Sequence, residues 1–347
     1  MSGEVRTLKD LAAKLDVSVA TVSRALAGHA RIAPETRARI AAAAREAGYV
    51  PNRAARALVS GRSGFVGLAL PMRGHGHEDA FLGAFVAGLT AGFGAAGMDL
   101  FLAAVPEGAD ELKVIRTIVE TRRADGLVLA RVAEEDARID YLTARGFPFV
   151  AHGRLRDETR PFDWLDSDGA AAFAEAFDLL HGLGHRRFGL VTIDEPMTFR
   201  RSRAAGLAGA IAARGDPGVT LATVSAPRFD REARRAAIRA LLTRPDRPTA
   251  VLGLFDGIAI AVLEEAARLG LAVPGDLSVL GFDDTPQAAH APPGLTTFDA
   301  AIHDCARTIA AMLAQRIADP KRPPETRLVR PKLALRGSHG PAPADRR

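Results

Sequence analysis

Chemistry-bearing side chains concentrate near the start of this chain. Ser18-Val19-Ala20-Thr21-Val22-Ser23-Arg24 puts three hydroxyls, small apolar groups and a guanidinium within two helical turns. A guanidinium there can fork to guanine O6 and N7, or it can hold a phosphate. Small side chains such as Val19 and Ala20 suit a thymine methyl or a closely approached base edge. Ser18, Thr21, Ser23, Arg31 and Arg53 are types that hold phosphates, which position a protein without specifying sequence. A second set, His75 and His77 beside Glu78 and Asp79, leaves three readings open. They are a metal site, hydrogen bonds to a ligand, and a solvated loop.

Catalytic chemistry has no comparable support. The chain has no G-x-S-x-G, no Walker loop and no paired cysteines at zinc spacing. Gly92-Phe93-Gly94 and Gly182-Leu183-Gly184 each end a helical stretch and read as C-caps, not phosphate loops. The expectation is a protein that is not an enzyme and needs no metal and no cofactor.

Charge agrees with a polyanion partner. The first 62 residues hold eleven Lys and Arg against five acids, and the other 285 hold 35 against 36. A basic head on a near-neutral body is the electrostatic layout of a nucleic-acid-binding module with a separate control domain. A merely solvated basic tail would be poor in apolar residues, and this head is not.

Those apolar residues place the head's elements. Leu8, Leu11, Ala12 and Leu15 lie on one helical face, with Thr7 as N-cap. Asp16-Val17 breaks the pattern. Ser18 can cap a second helix, whose apolar face is Val19, Val22, Ala25 and Leu26. Pro34 suits the first position of a third helix, which Gly48 would end. Two short helices joined by a tight turn make a helix-turn-helix, whose second helix enters the major groove. Thr7 is counted with the DNA-facing residues.

After Ser63 short apolar runs alternate with amphipathic stretches. The strands expected are 65–70, 98–105, 126–130, 148–152, 187–193, 219–224, 249–254 and 277–282. The helices between them are 80–96, 109–122, 134–145, 168–182, 199–213, 229–242 and 256–268. Such alternation implies an α/β body of parallel sheets covered on both faces. Two series imply two Rossmann-like subdomains with a ligand cleft at the carboxyl ends of the strands.

The head resembles the DNA-binding domain of the lactose-repressor/galactose-repressor (LacI/GalR) family. The residues that carry the likeness are Val17, Ser18, Thr21, Val22, Ser23, Arg24 and Leu26, in the pattern V-S-x-x-T-V-S-R-x-L, and Gly48-Tyr49-Val50-Pro51-Asn52. The body resembles the same family, and through it the periplasmic sugar-binding proteins. It does so in LLHGLGHRRFGLVT (179–192), Arg203-Ala204-Ala205-Gly206, PTAVLGLFDGIAIAVLEEA (248–266), VPGDLSVLGFDDTP (273–286) and LTTF (295–298).

The resemblance implies a hinge helix from Asn52 through Arg53 to Leu58 that orders on DNA. Leu58 would wedge into the minor groove; the alternative is a passive linker. It implies that Arg203 and Asp283 bond sugar hydroxyls, although an Asx turn before Pro286 would also explain Asp283. An Arg fork and a carboxylate can each address two adjacent hydroxyls. Asp256 fits as the N-cap of the helix that follows it. Phe255 stands where the family often has Asn, and either stacks on a sugar or belongs to the core. His77, Phe81, His152, Trp164 and Asp166 are further cleft candidates, each near a strand end or in the loop after one.

The resemblance also implies three crossings between subdomains. The expected layout is a helix-turn-helix domain at 1–50, a hinge and linker at 51–63, and an effector-binding and dimerisation domain at 64–336. Its first subdomain would be 64–164 plus 297–324, and its second 165–296 plus 325–336. A disordered tail would occupy 337–347. One cysteine, Cys305, no charged-then-apolar leader and no run of 18 apolar residues point to the cytoplasm, with no membrane partner.

The function expected is a sugar-responsive transcription regulator, most simply a repressor. It would bind a palindromic operator as a homodimer or tetramer, with a mono- or disaccharide effector in the cleft. The alternatives are the same fold responding to a purine or a phosphorylated metabolite, and a sugar-binding protein without a DNA role. The acid at Asp283 and the lack of a phosphate nest in the sequence weigh against the phosphate.

Overall fold

The computed structural model describes residues 7–26, 31–49, 61–71, 80–106 and 108–344. The chain divides into two compact units, Met1–Gly64 and Phe65–Arg347.

The first unit contains α1 (Leu8–Leu15), α2 (Val19–Leu26) and α3 (Pro34–Glu46). A capping box starts α1: the Thr7 hydroxyl accepts from the Asp10 N–H, and the Asp10 carboxylate accepts from the Thr7 N–H. Asp16 ends α1 in the left-handed region, and Val17 N–H closes back on Ala12 O at 3.1 Å. Ser18 Oγ accepts from Thr21 N–H at 3.0 Å and so caps α2. Gly48, at φ +63°, ends α3 while Tyr49 N–H bonds Ala44 O. Leu11, Ala12, Val22, Ala25, Ile40, Ala44 and Tyr49 bury their side chains together. That packing, not intrinsic propensity, holds helices this short.

The second unit has two lobes. A six-stranded parallel sheet orders its strands β11-β5-β4-β3-β1-β2. These are β1 (Phe65–Pro71), β2 (Asp99–Val105), β3 (Gly126–Ala130), β4 (Phe149–His152), β5 (Asp163–Ser167) and β11 (Thr326–Val329). A four-stranded parallel sheet follows the order β7-β6-β8-β9. Its members are β6 (Arg187–Ile193), β7 (Thr220–Ala226), β8 (Ala250–Gly253) and β9 (Ser278–Leu280). An antiparallel ribbon joins β10 (Thr297–Asp299) to β12 (Lys332–Ala334).

The helices of the first lobe are α4 (Ala80–Ala95), α5 (Glu111–Glu120), α6 (Ala137–Ala144) and α12 (Ile302–Ala318). Those of the second are α7 (Gly169–Gly182), α8 (Thr198–Arg214), α9 (Arg231–Leu242), α10 (Asp256–Arg268) and the short α11 (Pro286–His290). Apolar, small-residue α4 lets α12 approach closely: a Cβ on Gly88 would lie 2.2 Å from His303 O. Gly206 does the same for α8 on α7, since its Cβ would meet Ala170 O at 2.2 Å. Arg203, one turn earlier on α8, is thereby laid against Gly169.

Three parts of the layout differ from the sequence expectation. Residues 326–329 were assigned to the second subdomain, but β11 pairs with β5 in the first sheet, Thr326 opposite Trp164 and Val329 opposite Ser167. The edge of β5 needs partners, and Arg316, bonded to Asp163 at 2.7 Å, anchors the approach. All of β5 lies in that sheet, so the chain leaves the first lobe after Ser167, not at Leu165. The tail after Arg336 is also ordered through residue 344, not disordered. Ser338 is fully buried, its hydroxyl donates to Val279 O, and its own carbonyl accepts from Val279 N–H. A polar, Pro-rich composition reads as disorder, but the backbone beyond β9 offers it hydrogen bonds. Among the described residues no helix is long and apolar enough to cross a membrane.

Candidate functional site

The carboxyl ends of both sheets open on one cleft, as the fold requires of a doubly wound sheet. One side is tied by backbone: Thr198 N–H bonds Val132 O at 3.1 Å, and Glu134 N–H bonds Pro196 O at 2.9 Å. Within lies a cavity of about 530 Å³, a size suited to a small-molecule ligand.

Arg203 is the centre of it. Its Nη1 donates to Leu254 O at 2.5 Å, and its guanidinium lies 3.6 Å from the Phe282 ring centroid. Its Nη2 is 3.9 Å from Asp283 Oδ1. Burial holds the Arg203 pKa below its ordinary value, opposed by Asp283, Asp166 and Asp256. Arginine nevertheless stays a cation.

Asp283 has φ 115°, a conformation a non-glycine residue rarely adopts. Its loop is pinned on both sides. Thr285 N–H donates to Asp256 Oδ2 at 2.7 Å, and Arg336 donates to Asp284 at 2.6 Å. Such a conformation persists only where surrounding contacts over-determine it, as these do. Burial pushes the Asp283 carboxyl up to about 7; Arg203 opposes the shift and Asp256 adds to it. Asp256 does not cap its helix, contrary to expectation. It is fully buried and takes the Thr285 N–H and the Thr297 hydroxyl instead, fastening two loops under the cleft. Burial raises its pKa to about 6.

From the first lobe, β4 ends at His152, 5.5 Å from the Phe81 ring and 5.3 Å from Phe85. Burial, with the Arg203 charge, lowers the His152 pKa to about 4, so the imidazole is neutral at pH 7. Asp166, at the end of β5, is raised by burial and opposed by Arg154, whose Nε bonds it at 3.1 Å. His152 Nε2, Ser167 Oγ, Thr198 Oγ1 and Arg203 Nε are buried at the cavity with no hydrogen-bond partner.

The cavity therefore gathers Phe81, His152, Asp166, Arg203, Phe255 and Asp283 of the expected set. Trp164 is not among its lining residues. It is packed in a core with Phe149 and Phe162, beneath the Arg154 guanidinium. It sits two residues, roughly 6–7 Å, before Asp166, and only strand ends reach the cleft. Phe255 also packs on the second lobe's core, so both readings of it apply. His77, with His75, lies outside the described residues. Sequence reasoning missed Arg131, Ser167, Thr198, Phe199, Arg228 and Phe229. All lie at a strand end or within six residues after one, and that rule would have found them.

In the head, Val19 is 44% exposed, and Ala20 and Arg24 are exposed on the same helix. The Ser18 and Thr21 hydroxyls bond each other at 2.8 Å, and Ser23 is half-buried. Thr7 is engaged in its capping box. Arg31 is exposed at the start of the next described stretch. Asn52, Arg53 and Leu58 lie outside the described residues.

Known proteins match both units. The model for bacterial regulatory proteins of the lacI family matches residues 7–52, and that for a periplasmic binding protein-like domain matches 177–339. The HTH-type transcriptional regulator AglR of Rhizobium meliloti (strain 1021) is 35% identical over 97% of this chain and 95% of its own length. A structure of the transcriptional regulator CelR in complex with cellobiose superposes with TM-score 0.72. It is 26% identical and covers 96% of this chain and 99% of that one. The lac repressor dimer bound to operator and an anti-inducer gives TM-score 0.79 at 22% identity, a likeness of fold. It covers 96% of this chain and 98% of that one.

Proposed function

The chain belongs to the LacI family of bacterial regulatory proteins, and on that premise we propose a homodimeric repressor that binds a palindromic operator and responds to a small sugar in the interlobe cleft. Its relatives are transcription regulators, not enzymes. The observation that carries the sugar is the set of unpartnered buried atoms: His152 Nε2, Ser167 Oγ, Thr198 Oγ1 and Arg203 Nε. Each such group costs about 1–3 kcal/mol while unsatisfied. A ligand studded with hydroxyls can donate to and accept from all four, with Asp166 and Asp283 as acceptors and Phe229 and Phe255 as ring faces. The CelR structure, with its cellobiose, supports that ligand class.

On the DNA side, Val19, Ala20 and Arg24 would read base edges while Ser18, Thr21, Ser23 and Arg31 hold phosphates. Arg53 would hold a further phosphate, and Leu58 would wedge into the minor groove. Lobe closure on the ligand would then alter the geometry of the paired heads. The test is a thermal-shift screen of the full chain against mono- and disaccharides. A ligand at 100 times its Kd should add about 2.7 kcal/mol, and the same ligand should change affinity in a gel shift with a palindromic site. A hit that leaves operator binding untouched would break the reading.

A further inference from the structure

One wall of the cleft is chemically unlike the rest. Beyond the Arg203 centre, Arg228, Arg231, Arg234, Arg235 and Arg268 all line the cavity. The carboxylates beside them are Glu264, Glu265, Asp230 and, facing Arg228, Asp283. Glu265 is buried and takes Arg235 at 3.1 Å and Arg268 at 3.3 Å, while Arg231 stands 3.9 Å from Glu264. Asp230 is engaged at the N-cap of α9, accepting from Ala233 N–H at 2.9 Å. The five lining guanidinium groups outnumber these four acids, which leaves the wall with a small positive excess.

Two features concentrate that charge. The half-buried Arg228 guanidinium stands 5.4 Å from the Phe229 ring and 5.3 Å from Phe255, between two ring faces. Arg234 donates to Arg228 O at 2.8 Å, and burial with the neighbouring Arg231 charge lowers its pKa. Like charges packed at a cavity oppose one another, and an anion relieves them.

We propose that the effector is a sugar bearing an anionic group, a phosphate monoester or a carboxylate, with its hydroxyls at Arg203 and its anion on Arg228 and the α9 arginines. The proposal rests on the sugar reading above and narrows it.

Isothermal titration of the full chain tests it with matched pairs: glucose against glucose 6-phosphate and glucuronate, and cellobiose against cellobiose 6-phosphate. The expected result is that an anionic member binds about ten-fold or more tighter than its neutral parent. High salt should shrink that advantage. Arg228→Gln and Arg234→Gln should each remove most of it, with unchanged circular dichroism. The phosphate and carboxylate arms tell the two anions apart. Neutral parents binding as tightly as their anionic counterparts would overturn the anion wall and keep the sugar reading. An advantage that survives in both arginine variants would also overturn it, because the anion would then sit elsewhere. Silence from every pair would overturn both.

Discussion

The helix-turn-helix face and the cleft meet their ligands in opposite ways. In the head, Val19, Ala20 and Arg24 sit on one short helix and project outward, while Leu11, Val22 and Ile40 hold that helix from behind. In the cleft, His152 ends β4, Arg203 sits on α8 and Asp283 lies in the loop between β9 and α11, and their polar atoms face inward. An outward face remains hydrated when empty and costs little. A cleft leaves unpartnered polar atoms and a carboxyl raised to about 7, costs that persist until a ligand arrives. A local surface site can therefore be recognised from one segment, whereas a convergent site is defined by the fold.

The strongest way to break this contrast is to separate the units. Removal of residues 1–62 should abolish operator binding in a gel shift. The remaining body should still fold and give a full thermal shift with its effector. Retained operator affinity would place DNA recognition in the body.

Next in size is the cleft centre. Arg203→Gln should cost about 2–3 kcal/mol of effector affinity by calorimetry, because Asp283 and Asp166 lose their buried cation. Operator affinity without effector should stay near wild type. A variant that still responds at the wild-type effector concentration would move the ligand elsewhere.

In the head, Arg24→Ala should lose about 1–3 kcal/mol on the operator and little on non-specific DNA. Equal losses on both would make Arg24 a phosphate contact. Thr7→Ala, which removes the capping box, should cost the head about 1 kcal/mol in thermal unfolding with no change in sequence preference.

The smallest expected effect is pH dependence, and it belongs to the cleft alone. A carboxyl whose folded pKa is about 7 against 3.8 unfolded binds its proton more tightly in the folded state. Its contribution to stability is therefore fullest at low pH and is lost as the pH rises from 3.8 through about 7. Effector affinity runs the other way, because the ionised Asp283 is the better acceptor for hydroxyls. Affinity should fall as the pH drops through about 7, by less than about ten-fold per unit, and Asp283→Asn should flatten the profile. His152, near 4, stays neutral over that window.

Much of the fold was legible. The apolar runs 126–130 and 187–193 coincide with β3 and β6, and the stretch 256–268 coincides with α10. Strands β5, β10, β11 and β12 are absent from the sequence expectation. Thr326–Val329 is mostly exposed, with no alternation for a sequence to display, and is a strand because β5 has an open edge beside it. Asp256 reads as an N-cap from its place at a helix start. Only the fold brings Thr285 and Thr297 to its carboxylate.

Residue order alone carried the three-helix head, its basic charge and the two series of strand and helix, because capping, periodicity and charge are local properties of a segment. The tertiary structure decided that Trp164 is core while Ser167, three residues on, lines the cleft. It also ordered a polar tail along β9 and set five arginines from two helices and a loop on one wall. Those outcomes depend on which strand ends converge and which sheet edges stand open. Both follow from strand order in space, which no local pattern encodes.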